Sequence, residues 1–191
     1  MNIRPARSTD ADALAYLTNL SSEGLSECIW EHLMKGDETP LQAGARLISK
    51  GDGIFSYHNT AVQEHNHEVL ALISGRHLLD TNLPVMLDEY LPFIRSLIKL
   101  ETKVRGSWNI TALAVNPEYT RRGLATQLLE SAERLSQTLE IRQLSIAVAS
   151  ENPEACRLVE NFGFEPIARE TFVRFGSLKH NGDWLMMVKS I

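Results

Sequence analysis

Apolar residues recur along the chain at two periods, and the alternation between them lays out strands and helices in a definite order. Residues 2–7 read as a short edge strand, because Pro5 has no N–H to give to an interior ladder. Leu14, Leu17 and Leu20 follow at helical spacing behind Thr9 or Asp10, either of which can cap the helix start. A second amphipathic stretch runs from about Thr39 to Ser49 and is closed by Lys50-Gly51-Asp52-Gly53. Two strand-like segments, Ile54–Gln63 and Glu68–His77, flank the polar hairpin loop Glu64-His65-Asn66-His67. Between residues 84 and 101, Leu87, Tyr90, Leu91, Ile94, Leu97 and Ile98 fall on one helical face, with a kink or restart expected at Pro92.

After the break at Arg105-Gly106-Ser107, the pattern gives a strand over Trp108–Val115, ended by Asn116-Pro117. A helix from Gly123 to about Leu139 comes next, then a strand over Gln143–Ala149 and a short helix over Pro153–Asn161. The closing strands lie near Pro166–Phe175 and Trp184–Lys189. The order is a strand, two helices, two strands, helix, strand, helix, strand, helix, two strands. Such an order builds a mixed sheet with helices on its faces, and no linker or repeat divides it.

Composition narrows the reading further. The 191 residues are 43% hydrophobic and 23% charged, which suits one globular domain over 1–191. Nineteen basic against 24 acidic side chains give a net charge of −5, which argues against nucleic acid as a partner. Met1-Asn2-Ile3-Arg4-Pro5 lacks the apolar stretch of a signal peptide, and no run approaches 18 apolar residues, so the expectation is a cytoplasmic protein without a membrane partner. Cys28 and Cys156 form no C-x-x-C pair and read as small hydrophobes in a reducing compartment; no metal site is expected.

The chemistry concentrates in the stretch from Leu113 to Leu129. A strand ends at Val115, Asn-Pro turns the chain, and Arg121-Arg122-Gly123-Leu124-Ala125 opens an amphipathic helix. The first N–H groups of a helix have no internal partner and sit at the positive end of its dipole. Glycine there lets a diphosphate approach the backbone closely, and the two arginines add formal charge. An ordinary helix start with two solvated arginines fits the same five residues. Neither G-x-G-x-x-G nor G-x-x-x-x-G-K-[ST] occurs, which removes the dinucleotide fingerprint and the P-loop.

The helix start and the later run Asn152-x-x-Ala155-x-x-Leu158-x-x-x-x-Gly163-Phe164 together resemble the GNAT superfamily of acyl-CoA-dependent N-acetyltransferases. The close match covers roughly residues 107–167. The resemblance implies an α/β (α+β) fold: a mixed, mostly antiparallel twisted sheet of about seven strands flanked by helices. It implies acetyl-CoA as acyl donor, with its diphosphate on the backbone of Arg121, Arg122, Gly123, Leu124, Ala125 and Thr126. The main chain of Leu113, Ala114 and Val115 would pair with the pantetheine arm as an added strand does, and Asn152 would hydrogen-bond that arm. The co-substrate would be a small or peptidyl amine. Relative to the family core, residues 78–104 form a helical insertion. Its helix, bearing Tyr90, Phe93 and Ile94, is expected to wall the acceptor pocket, to form a homodimer contact or to be one more core helix.

Two departures bear on catalysis. Thr120 stands where the family carries Gln or Arg, and Val159 stands where the family often has the tyrosine that protonates the leaving thiolate. Asn109 falls where some relatives place a glutamate base. The remaining candidates for acid–base work are Glu101, Tyr119 and His180, with His58 and His77 on expected strands. An N-acetyltransferase acting by direct attack in a ternary complex is therefore the first expectation, and a non-catalytic acyl-CoA sensor or regulatory subunit the second.

Overall fold

The computed structural model describes residues 2–81, 85–173 and 182–191. Its strands are β1 (Asn2–Pro5), β2 (Thr60–His65), β3 (Glu68–His77), β4 (Trp108–Val115), β5 (Gln143–Ala149), β6 (Glu165–Thr171) and β7 (Asp183–Ser190). They form one sheet in the order β1-β2-β3-β4-β5-β7-β6. The helices among the described residues are α1 (Ala11–Ser21), α2 (Leu25–Glu31), α3 (Pro40–Ser49), α4 (Arg95–Glu101), α5 (Leu124–Thr138) and α6 (Pro153–Asn161). A mixed seven-stranded sheet flanked by helices is the fold class expected from the sequence. The described chain gathers into two compact units, one of residues 2–75 and 112–130, the other of 76–81, 85–111, 131–173 and 182–191.

In the first unit β1 is an edge strand paired antiparallel with β2, which is where Pro5 costs nothing. The β2–β3 hairpin turns on Asn66 and His67, both left-handed at φ +51° and +66°, as a tight hairpin requires. Gln63 pairs with Ala71 but Glu64 with Val69, so a bulge leaves Leu70 out of the ladder. The Leu70 carbonyl instead accepts from the Asn116 N–H at 2.8 Å.

The helices show which start signals matter. Thr39 and Gln42 form a reciprocal capping box ahead of Pro40, so α3 begins where the sequence indicates. Asp10 precedes α1, yet its carboxylate accepts from the Arg4 guanidinium at 2.8 and 3.0 Å and from the Arg7 N–H. The hydrogen bond from Arg4 holds the Asp10 carboxyl below the usual carboxylate range. Leu14 and Leu17 are buried while Leu20 stays exposed, so the apolar stripe of α1 is shorter than its spacing implies. Helix α2 has no counterpart in the sequence reading. It follows Gly24 at φ +99° and carries Trp30 into the core, where the indole meets Phe55 edge-on at 5.5 Å and lies against Gly44.

Two expected elements change. The strand read from Ile54 starts only at Thr60, because Ser56 Oγ donates to the Gly51 carbonyl and accepts from the His58 N–H, winding Tyr57–Asn59 into a 3-10 turn. His58 therefore lies off the strand, whereas His77 is on β3 and exposed. In the second unit the helix read over 84–101 is α4 alone, preceded by 3-10 turns at Leu87–Glu89 and Pro92–Ile94, with Pro92 as the restart. Phe93 is fully buried and Tyr90 is exposed, so these two do not share one face.

The rest of the second unit follows the sequence closely. β4 pairs in parallel with β5 through Trp108↔Leu144, Asn109↔Ser145 and Ile110↔Ile146, and β5 continues antiparallel onto β7. Ser96 Oγ donates to the Thr171 carbonyl at 2.8 Å, tying α4 to β6. The expected end of that strand at Phe175 lies outside the described residues. Among those described, no helix is long and apolar enough to cross a membrane.

Candidate functional site

The end of β4 leads into a loop whose shape is fixed residue by residue. Asn116 Oδ1 accepts from the Glu118 N–H, its carbonyl accepts from the Tyr119 N–H at 2.8 Å, and Thr120 Oγ1 donates to the Pro117 carbonyl. Arg121 then adopts φ +59° and Gly123 φ +76°. Alternation of left- and right-handed residues is one way in which successive backbone N–H groups come to face a common anion. The Gln127 N–H, bonded to the Gly123 carbonyl at 3.1 Å, begins the ladder of α5, so the N–H groups of Leu124, Ala125 and Thr126 precede it. Leu124 is buried and anchors the helix, while Arg121, Arg122 and Gly123 are exposed. A β-carbon at Gly123 would point into open space with Gln127 Nε2 as nearest neighbour outside the adjoining residues, 3.9 Å away.

Neighbouring side chains brace this loop. The Tyr119 hydroxyl donates to Glu68 Oε2 at 3.0 Å, and that bond pushes the phenol pKa up. The Arg122 guanidinium lies over the Tyr119 ring at 5.0 Å and donates to the Glu118 carbonyl. Gln63 Nε2 donates to Gln127 Oε1 at 2.6 Å. Leu113, Ala114 and Val115, on the last turns of pleat before the loop, belong to the same unit. The first unit thus brings together 113–115, Tyr119 and 121–126.

His58 is also in the first unit, whereas His77, Glu101, Asn109 and Asn152 lie in the second. Glu101 ends α4 in an ion pair with Arg76 at 2.7 Å. Asn109 is 3% exposed, and its Nδ2 donates to Ser145 Oγ, which is itself bonded to Ser107 Oγ at 2.7 Å. This buried polar chain ties β4 to β5, so the Asn109 amide serves the sheet. Asn152 caps α6, its Oδ1 accepting from the Ala155 N–H at 2.9 Å. His180 lies outside the described residues.

Val159 is 1% exposed, with its carbonyl accepting from the Phe162 and Phe164 N–H groups at the end of α6. Val159→Phe is therefore expected to destabilise the fold by about 1–3 kcal/mol through overpacking. Urea denaturation checks this, and an unchanged midpoint would mean that the side chain borders open space.

Three bracing residues, Glu68, Gln63 and Gln127, escape sequence reading. Gln127 carries a usable signal, since a helical side chain leans back over the turn before it. Gln63 and Glu68 carry none, because their partners are 64 and 51 positions away.

Comparison with known proteins bears on the family and on the fold. No curated protein matches the sequence. Among solved structures, the polyamine N-acetyltransferase of Drosophila melanogaster superposes with a TM-score of 0.68 at 14% identity, covering 100% of this chain and 99% of the other. The ribosomal-protein-alanine N-acetyltransferase of Brucella melitensis gives 0.65 at 18% identity over 100% of both chains. The Salmonella typhimurium protein yncA, solved with its cofactor acetyl-CoA, gives 0.61 at 18% identity, covering 100% and 93%. At such identities the likeness shows the fold. The model of the acetyltransferase (GNAT) family matches residues 56–164, more than half of the chain. The chain belongs to the GNAT acetyltransferase family.

Proposed function

We propose that the protein transfers an acetyl group from acetyl-CoA to a primary amine by direct attack in a ternary complex. The observation that carries this reading is the left-handed pair Arg121 and Gly123 at the head of α5, with open space over Gly123. A diphosphate fits there, accepting from the N–H groups of Arg121 to Thr126. The main chain of Leu113 to Val115 would receive the pantetheine arm and supply an oxyanion donor.

The reaction asks little of side chains once the reactants are oriented, since orientation alone supplies on the order of 7–11 kcal/mol in ideal cases. The amine nitrogen attacks the thioester carbonyl, a C–N bond forms, the C–S bond breaks, and the amine proton passes to a base or to water. A thiol pKa of about 8.5 lets the leaving sulfur depart as the anion near pH 8, so the missing tyrosine at Val159 is tolerable. Tyr119 is not a ready donor, because its hydroxyl already donates its hydrogen bond to Glu68.

A non-catalytic acyl-CoA sensor or subunit is the second reading. It is favoured by the buried Val159 and the structurally committed Asn109, at the positions where the family often has its acid and some relatives a glutamate base. Release of free CoA thiol with a panel of small and peptidyl amines between pH 7 and 9 separates the two. Turnover on any amine supports transfer. Intact CoA binding with no turnover supports the sensor, and absence of CoA binding defeats both.

A further inference from the structure

The strand β2 buries a glutamine. Gln63 is 1% exposed, yet only one end of its amide is satisfied: Nε2 donates to Gln127 Oε1 at 2.6 Å, while Oε1 has no hydrogen-bond partner among the described residues. A buried amide left half-unpaired is costly. The alternative, with both amides turned over, would strand an NH2 group in place of a carbonyl oxygen, and buried donors are left unpaired more rarely than acceptors. The observed arrangement therefore fixes the orientation of Gln127 as well. Its oxygen faces inward to Gln63 and its NH2 faces outward.

The outward direction is towards the proposed diphosphate site. Gln127 lies four residues after Gly123, one helical turn on, and helical side chains lean towards the N-terminus. Its Nε2 is the atom that a β-carbon at Gly123 would meet first, at 3.9 Å, with otherwise open space above the glycine. We infer that Gln127 is a binding residue for the diphosphate of the acyl donor, donating from Nε2, and that Gln63 is the positioning residue that aims it. This rests on the function proposed above. Gln63 does not touch the ligand. It acts by occupying the acceptor end of the Gln127 amide, so that only donors remain for the phosphate oxygens.

The test uses the full chain with two ligands, acetyl-CoA and acetyl-pantetheine, the latter keeping the thioester and arm but lacking the nucleotide diphosphate. Gln127→Leu is expected to weaken acetyl-CoA binding five- to tenfold by calorimetry. Gln127→Glu, which sets an anion against the diphosphate, should weaken it at least tenfold more. Gln63→Leu should approach the effect of Gln127→Leu. Acetyl-pantetheine binding, followed by ligand-observed NMR, should be unchanged in both Gln127 variants. Wild-type binding of acetyl-CoA with unaltered affinity in both Gln127 variants overturns the inference and leaves the proposed function standing. Parallel loss of both ligands also overturns it, because a merely structural brace would act that way. Absence of acetyl-CoA binding by the wild type removes the function and this inference together. Gln127 is on the surface, so its variants report even if Gln63→Leu fails to fold.

Discussion

Gly123→Val is expected to lower acetyl-CoA affinity at least tenfold, equivalent to about 1.4 kcal/mol. Two causes act together. The branched side chain would project into the open space proposed for the diphosphate, and would displace it from the N–H groups of the α5 start. Gly123 also sits at φ +76°, a conformation that costs a residue with a β-carbon roughly 1–2 kcal/mol. Fold stability should therefore fall as well, although the site is exposed. Gly123→Ala separates the causes, since it carries the backbone strain with little bulk. Calorimetry gives the affinity and urea denaturation the stability. Wild-type affinity in the Val variant would mean that the ligand does not lie against this residue.

Trp30→Ala is expected to be the most damaging substitution for the fold, at about 3–5 kcal/mol. The indole is fully buried among Leu14, Leu17, Ala43, Ile48, Val62 and Leu72, so truncation leaves a cavity that three helices and two strands must share. The fit from the other side is equally tight. A β-carbon at Gly44 would come within 2.6 Å of the indole ring, so even Gly44→Ala forces the ring or α3 to shift, at about 1–3 kcal/mol. Denaturation midpoints at constant m value measure both. A loss under about 1 kcal/mol for Trp30→Ala would show that the first unit does not depend on this ring.

What the sequence reveals and what it hides divides along physical lines. β4, β5 and α6 appear at the boundaries read from the sequence, because Asn116-Pro117 and Asn152-Pro153 punctuate them where local rules act. The loop at the head of α5, the proposed diphosphate site, is legible for the same reason, since strand, turn, glycine and helix are consecutive in the chain. Helix α2 is hidden: it spans seven residues, starts at a glycine without a side-chain cap, and is held by tertiary packing of Trp30. The region Ile54–Asn59 has the alternation of a strand, but Ser56 offers the backbone a competing local hydrogen bond, and the turn prevails. Position 159 is readable as a missing tyrosine, whereas its burial is not, because the sequence does not say which side of α6 faces the core. The Gln63–Gln127 pair lies beyond any local rule, joining β2 to α5 across 64 positions.

The placement of an acyl-CoA on the Arg121–Thr126 backbone is tested most directly by thermal denaturation with matched concentrations of acetyl-CoA, NAD and ATP. Acetyl-CoA at a hundred times its Kd adds about 2.7 kcal/mol to the folded state. For a chain of this size that raises Tm by roughly 5–11 °C. The account predicts that rise with acetyl-CoA and a much smaller one with NAD or ATP. Equal shifts with all three, or none with acetyl-CoA, would contradict it.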